Sequence, residues 1–213
     1  MAARWATFDC YGTLIDWDGG IRLGLVEAFG AEGVDELLDR YHEIEPRIQA
    51  AEPALSYREV MARTLDELGA PAEQRGALGE ALPSWAPFPE VPAALEEVRG
   101  RGWRLAILSN TDRDFIEASK RRLGVQFDVT IVASEVGSYK PAPGHWQAFE
   151  EEVGRMPDVH VAASHFHDVV PAGGLGLPTV WVNRLAEHGD PPPTREVRDL
   201  APLADALDEL VPA

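Results

Sequence analysis

The sequence predicts an α/β protein: a Rossmann-like doubly wound parallel sheet with a helical segment inserted after its first strand. Three observations carry this. Strand-sized apolar runs alternate with helical periodicity from about residue 84 onward. Those runs are continuously apolar, as strands covered on both faces must be. Residues 17–83, by contrast, show helical periodicity with no strand-like run among them. The expected division is therefore a core of residues 1–16 and 84–213 and a helical insert of residues 17–83.

The first segment, Trp5-Ala6-Thr7-Phe8-Asp9, reads as a buried strand that ends at a carboxylate, and Tyr11-Gly12-Thr13 follows as a turn. In the insert, Leu23, Val26 and Ala28-Phe29 mark one helix. Val34–Ile44, Tyr57–Leu68 and Ala72–Leu82 are three more, with Gly30, Gly33, Pro46, Pro53 and Gly69-Ala70-Pro71 as punctuation. After the proline-rich stretch at residues 83–89, helix Val91–Arg101 leads to strand Arg104–Leu108 and helix Arg113–Leu123 to strand Val129–Ala133. Helix Gly144–Val153 leads to strand Val159–Ala163, a loop with Pro171 and three glycines to strand Thr179–Val182, and Pro202–Leu210 forms the last helix.

Composition narrows the function. A formal net charge of −17 argues against nucleic acid and against anionic membrane surfaces, both of which need a basic patch. The longest apolar runs are too short to cross a bilayer, and the N-terminal residues lack the pattern of a secretory signal. A single cysteine, Cys10, cannot form an internal disulfide, so a reducing cytoplasm is the expected setting. The same charge repels a small anionic substrate, which would need local cations at its site. Lys120 and Lys140 are the two lysines in an arginine-rich chain. Lys120 falls in a Lys-Arg-Arg run on a helix, a solvated face; Lys140 falls in the turn Ser-Tyr-Lys-Pro.

In a doubly wound sheet ligands bind beyond the carboxyl ends of the strands. Those ends deliver Asp9, Ser109-Asn110, Lys140 and the segment from Ser164 to Asp168. Singly, each has a bland reading, since Asp, Ser and Asn at strand ends often cap the next helix. Jointly they supply a nucleophile, a cation and an anion cradle. An aimed carboxylate can form an ester that water later cleaves, a nearby ammonium keeps it ionised, and hydroxyl, amide and backbone N–H groups at a helix start hold an anion.

Phe8-Asp9-Cys10-Tyr11-Gly12-Thr13-Leu14-Ile15-Asp16 resembles the first motif of the haloacid dehalogenase superfamily. Leu108-Ser109-Asn110, Tyr139-Lys140-Pro141 and the Asp168 loop resemble its second, third and fourth motifs, in the family order, and the helical stretch lies where that family inserts a cap. Most of that superfamily are magnesium-dependent phosphatases, with a second acid two residues after the nucleophile and another five before the Asp168 position. Here these are Tyr11 and Ala163. Within the superfamily the sequence is most similar to the L-2-haloacid dehalogenases, which implies displacement of halide from a short 2-haloacid by Asp9 and hydrolysis of the ester, with no cofactor.

By that resemblance Ser109 and Lys140, with local backbone N–H groups, hold the substrate carboxylate; Asn110 and Arg40 (or Arg47) meet the halide. Thr13 and Asp168 position the nucleophile, lysine and water, and Tyr11, Tyr41 and Trp146 wall an apolar pocket. Ser164 belongs to the fourth motif, Cys10 offers at most a backbone N–H, and His165 replaces the usual asparagine. His165 or His167 could serve a water as base, or either could simply be packed; the catalytic role is assigned to His165 and packing to His167. The alternatives are a phosphatase of the same fold, which would require Mg²⁺, and a non-catalytic relative, against which the intact Asp9–Lys140 pair argues. The resemblance leaves room for a homodimer, which nothing in the sequence itself establishes.

Overall fold

A computed structural model describes residues 3–212. Its strands are β1 Arg4–Phe8, β2 Trp103–Ser109, β3 Val129–Val132, β4 Val159–Ala162, β5 Thr179–Val182 and β6 Arg195–Val197. All pair in parallel, in the order β3-β2-β1-β4-β5-β6. The chain builds outward from β1 to one side, returns, and builds outward from β4 to the other. The reversal leaves a crevice beyond the carboxyl ends of β1 and β4.

Alternation along the strands assigns the two faces. Leu105 and Ile107 of β2 join Phe8, Val161 and Val180 in one apolar cluster. It is covered by Val91, Leu95 and Val98 of α5 (Val91–Gly100), Phe115 and Ile116 of α6 (Arg113–Leu123), and Leu203 and Leu207 of α10 (Leu203–Leu210). Ala106 and Leu108 point the other way, onto Trp146 and Phe149 of α8 (Gly144–Val153) and Ala172 of α9 (Val170–Gly174).

Between β1 and α5 lie α1 (Trp17–Phe29), α2 (Val34–Ala51), α3 (Tyr57–Leu68) and α4 (Ala77–Ala81), which pack chiefly on one another. Three stretches differ from the sequence expectation. The second helix runs past Pro46 to Ala51, because the proline removes one backbone bond while Tyr41, Ile44 and Ile48 stay buried on both sides of it. The fourth breaks into short turns around Gly76 and Pro83. The loop expected after β4 is helical, a π-turn at His165–Val169 running into α9, whose Pro171 sits in the first turn, where its missing N–H has no partner to lose.

Two elements went unpredicted. One is α7 (Ala133–Val136); the other is β6, a short polar edge strand in which Val197 alone is buried. Among the described residues no helix is long and apolar enough to cross a membrane.

The inserted helices are held down by Trp85, whose buried ring lies against Gly20 of α1. A Cβ at Gly20 would fall 2.2 Å from that ring. Alanine favours helix by about 1 kcal/mol over glycine, but this overlap outweighs the gain. Gly20→Ala should lower the unfolding free energy by roughly 1–3 kcal/mol in urea titrations. An unchanged midpoint would mean that Trp85 gives way freely.

Candidate active site

The site begins where β1 stops. Asp9 N–H donates to Val161 O at 3.0 Å, so the residue is still anchored to β4 as its side chain leaves the sheet. The chain then turns sharply, with Leu14 and Ile15 N–H both bonded to Cys10 O. Gly12 takes φ 85°, a left-handed conformation that costs glycine little and other residues more. This turn brings Thr13 back to the carboxylate. Its hydroxyl donates to Asp9 Oδ2 at 2.9 Å and accepts from Ala163 N–H at 2.8 Å, which ties the ends of β1 and β4 to one oxygen.

Lys140 is 1% exposed and spends all three ammonium protons inside the protein. Nζ donates to Asp9 Oδ1 at 2.9 Å, to Leu108 O at 2.8 Å and to Asp168 Oδ1. Its backbone is clamped by Asn110, whose Oδ1 accepts from Lys140 N–H at 2.7 Å and whose Nδ2 donates to Lys140 O at 3.0 Å. Asp168 Oδ1 also receives His160 Nε2 at 2.9 Å, and His160 Nδ1 meets Thr7 Oγ1 at 2.8 Å beneath the sheet.

Burial and charge compete at each group. Burial disfavours the Lys140 ammonium, but Asp168 and Asp9 outweigh it and hold its pKa above the ordinary value. Burial likewise opposes ionised Asp168, yet Lys140 and His160 keep it well below the usual carboxylate range. For Asp9 desolvation wins over Lys140, and its pKa is raised.

Above Asp9 opens a cavity of about 540 Å³. The strand ends contribute Ser109, Asn110, Ser164, His167 and Arg184 to its wall; the helices contribute Trp17, His42, Glu45, Gln49 and Tyr57. Ser109 Oγ is buried without a partner. Ser164 Oγ accepts His167 N–H and meets His167 Nδ1, each at 3.1 Å, and burial lowers the His167 pKa. Arg184 lies 3.6 Å over the Phe88 ring, pairs with Glu90 at 2.8 Å and donates to Thr13 O at 2.9 Å. Glu45 is buried beside the Tyr57 hydroxyl, and desolvation pushes its pKa up to about 7.

The structure thus brings Asp9, Thr13, Lys140, Ser109, Asn110, Ser164 and Asp168 together, with Tyr11 on the cavity wall. Other residues expected there lie elsewhere. Trp146 is fully buried under the opposite face of the sheet, its ring 5.2 Å from His160. Tyr41 is buried behind Trp17 and does not reach the cavity. Arg40 is solvent-exposed, off the cavity-facing side of α2, and exposed Arg47 pairs with Glu67.

His165 also turns away, packing its ring at a tilt against Trp181 and bonding Pro191 O at 2.9 Å, so that His167 takes the cavity side. Cys10 faces the core, its thiol pushed up by burial and then by the Asp9 charge. Asn110 lines the cavity, but its amide is committed to Lys140. Sequence reasoning missed His160, Glu45, Gln49 and Arg184. Arg184 was accessible to the strand-end rule, since it lies two residues beyond β5; the others needed the packing.

A family model described as haloacid dehalogenase-like hydrolase matches residues 3–163. The chain belongs to that family. Among haloacid dehalogenase-like proteins it is 30% identical over 224 residues to an (S)-2-haloacid dehalogenase of Pseudomonas putida, covering 94% of this chain and 96% of the relative. It is 31% identical over 195 residues to a phosphoserine phosphatase of Thermus thermophilus, covering 85% and 78%. The L-2-haloacid dehalogenase from Xanthobacter autotrophicus shares the fold, with a TM-score of 0.83 at 20% identity over 97% of this chain and 98% of that one.

Glu45 gives the site a pH signature in stability. Its folded pKa, about 7, lies above the ordinary 4.5. Between those values the unfolded chain ionises while the folded one stays neutral, so the stability present below pH 4.5 is lost as pH rises through about 7. The loss should approach roughly 3 kcal/mol. Denaturant titrations of wild type and Glu45→Gln across this range should differ by that slope, wild type falling more steeply; parallel curves would contradict it.

Proposed function

We propose that the protein is a hydrolytic dehalogenase of short 2-haloalkanoic acids, with Asp9 as nucleophile and residues 17–83 as the cap over its site. The observation that carries this reading is the Asp9 carboxylate, fixed at both oxygens by Lys140 and Thr13 on the floor of a cleft of about 540 Å³. An oriented, partly desolvated carboxylate is a competent nucleophile toward carbon, and the kinship with (S)-2-haloacid dehalogenases supplies the substrate class.

An Asp9 oxygen attacks the substrate Cα from the side opposite the halogen. The C–halogen bond breaks, halide leaves with the electron pair, and an aspartyl ester remains. Ser109 Oγ, which lacks a protein partner, is available to the substrate carboxylate. Among the described residues Lys140 and Arg184 are the lysine and arginine of the cavity wall; Lys140 is enclosed by Asp9 and Asp168, which leaves Arg184 to attract the anions that the reaction binds. Water then attacks the ester carbonyl carbon of Asp9 and gives up a proton to His167, oriented by Ser164; His167 returns that proton to the alkoxide oxygen as the acyl–oxygen bond breaks, the 2-hydroxy acid departs, and the Asp9 carboxyl releases its remaining proton to solvent to restore the carboxylate. Asn110, Thr13 and Asp168 act by positioning Lys140 and Asp9.

The donor set does not fit a hard dication well. Asp9 and Asp168 each already give an oxygen to Lys140, and Ala163 stands where the phosphatases carry a further acid that helps hold magnesium. The reading is therefore metal-free. A phosphatase is the second reading, favoured by the Thermus thermophilus relative.

Halide release from (S)-2-chloropropionate is expected to survive EDTA, with no Mg²⁺-dependent release of phosphate from p-nitrophenyl phosphate in the same buffers. Metal-dependent phosphate release without halide would establish the second reading instead. Asp9→Asn should abolish turnover with the fold intact by circular dichroism. Lys140→Met should also be inactive, and less stable by about 3–5 kcal/mol, because it leaves two buried carboxylates unpaired. His167→Ala should release one halide per enzyme rapidly and then turn over roughly a hundredfold more slowly; an unaltered steady rate would remove His167 from the second step.

A further inference from the structure

The helical wall of the cavity has a chemistry that halide displacement does not use. His42, Glu45, Pro46 and Gln49 of α2 all line it, at the three- and four-residue spacing that puts side chains on one helix face. Glu45 is 5% exposed and Gln49 4%, yet both reach the cavity. Among the described residues no lysine or arginine pairs with Glu45; its neighbours include the Tyr57 and Tyr41 hydroxyls and His42. The Tyr57 oxygen already takes the Trp17 indole N–H at 2.9 Å. Among the described residues Gln49 Oε1 is buried with no hydrogen-bond partner.

A buried acceptor without a donor and a buried acid without a cation are both unfavourable states that a ligand can relieve. Asp16, Asp18 and Glu187 add to the acidity of the wall, while Arg184 is already matched by Glu90. A plain haloalkanoate would place a methyl group against this surface. We propose that Glu45 and Gln49 form a subsite for an ammonium group, so that the substrate is an amino-bearing, zwitterionic carboxylic acid with its carboxylate at the strand ends and its cation at α2. This rests on the cavity being the place of reaction, as argued above.

The test is binding, with unreactive ligands and the whole protein. Unbranched ω-aminoalkanoates carrying one to five methylenes are compared with alkanoates in which a methyl replaces the ammonium, and with ω-hydroxyalkanoates, by titration calorimetry or by the fluorescence of Trp17. One aminoalkanoate should bind at least about tenfold more tightly than its methyl and hydroxyl counterparts. Glu45→Gln should abolish that preference, and Gln49→Leu should reduce it, with thermal melts showing both variants folded. Methyl analogues that bind as tightly at every length would overturn the proposal, and so would a preference that survives Glu45→Gln. Hydroxyl analogues as tight as the amino ones would exclude a cation subsite. Halide release plays no part in the readout, so the dehalogenase reading and this one can fail separately.

Discussion

A lysine ammonium buried between two carboxylates is the contact on which the rest of the site depends. Lys140 Nζ draws its partners from the end of β1, the end of β2 and the helical turn after β4. Without that charge two acids, Asp9 and Asp168, would share one buried space, and one of them would take up a proton. The ion pair is also structural, because removing one partner of a buried pair leaves an unsolvated charge. Chemistry and the closing of the sheet's edge therefore use the same atoms.

The supports around Lys140 follow from how little freedom it has. Its three protons fix the head, and Asn110 fixes the backbone through both the N–H and the C=O of Lys140. Thr13 does the corresponding work for Asp9, passing a hydrogen bond from Ala163 N–H to the nucleophilic carboxylate. His160 extends the network below the sheet, from Asp168 to Thr7 on the neighbouring strand. The groups that meet the cavity are thus held by a network that continues away from it through Thr13 and His160, as aiming a carboxylate to within a fraction of an ångström requires.

This organisation explains what could be read from the sequence. Asp9, Ser109, Lys140 and Asp168 sit at or just beyond strand ends, and a parallel sheet sends all its strand ends to one edge, so their meeting follows from element order. Trp146 was misplaced because a helix can lie on either face of the sheet, and its face is decided by tertiary packing that the pattern does not encode. Arg40 and Glu45 are five positions apart on one helix, so the phase of that helix decides which reaches the cavity. Pro46 obscured the phase by suggesting that the helix stopped. His165 and His167 exchanged roles because the segment winds as a π-turn, whose rotation per residue differs from that of a loop or an α-helix. The edge strand β6 carries too few apolar residues for alternation to mark it.

Net charge acts on the site through the same triad. The chain carries −17 overall, but surface charges are screened over roughly 8 Å at physiological salt, so the local balance governs a bound anion. With Asp9 and Asp168 ionised around Lys140, that local balance is negative, and the ammonium has no proton left to offer a ligand. Anion binding in the ground state must then rest on hydrogen-bond donors such as Ser109 and on Arg184 at the rim. Formation of the ester on Asp9 changes this. The carboxylate's charge leaves with the halide, Asp168 and Lys140 become a neutral pair, and the departing anion faces a less negative floor than the substrate did on arrival. An environment that becomes more favourable to an anion as the negative charge moves to the leaving group stabilises the transition state more than the ground state. The buried lysine would serve the displacement in this way without touching the halide.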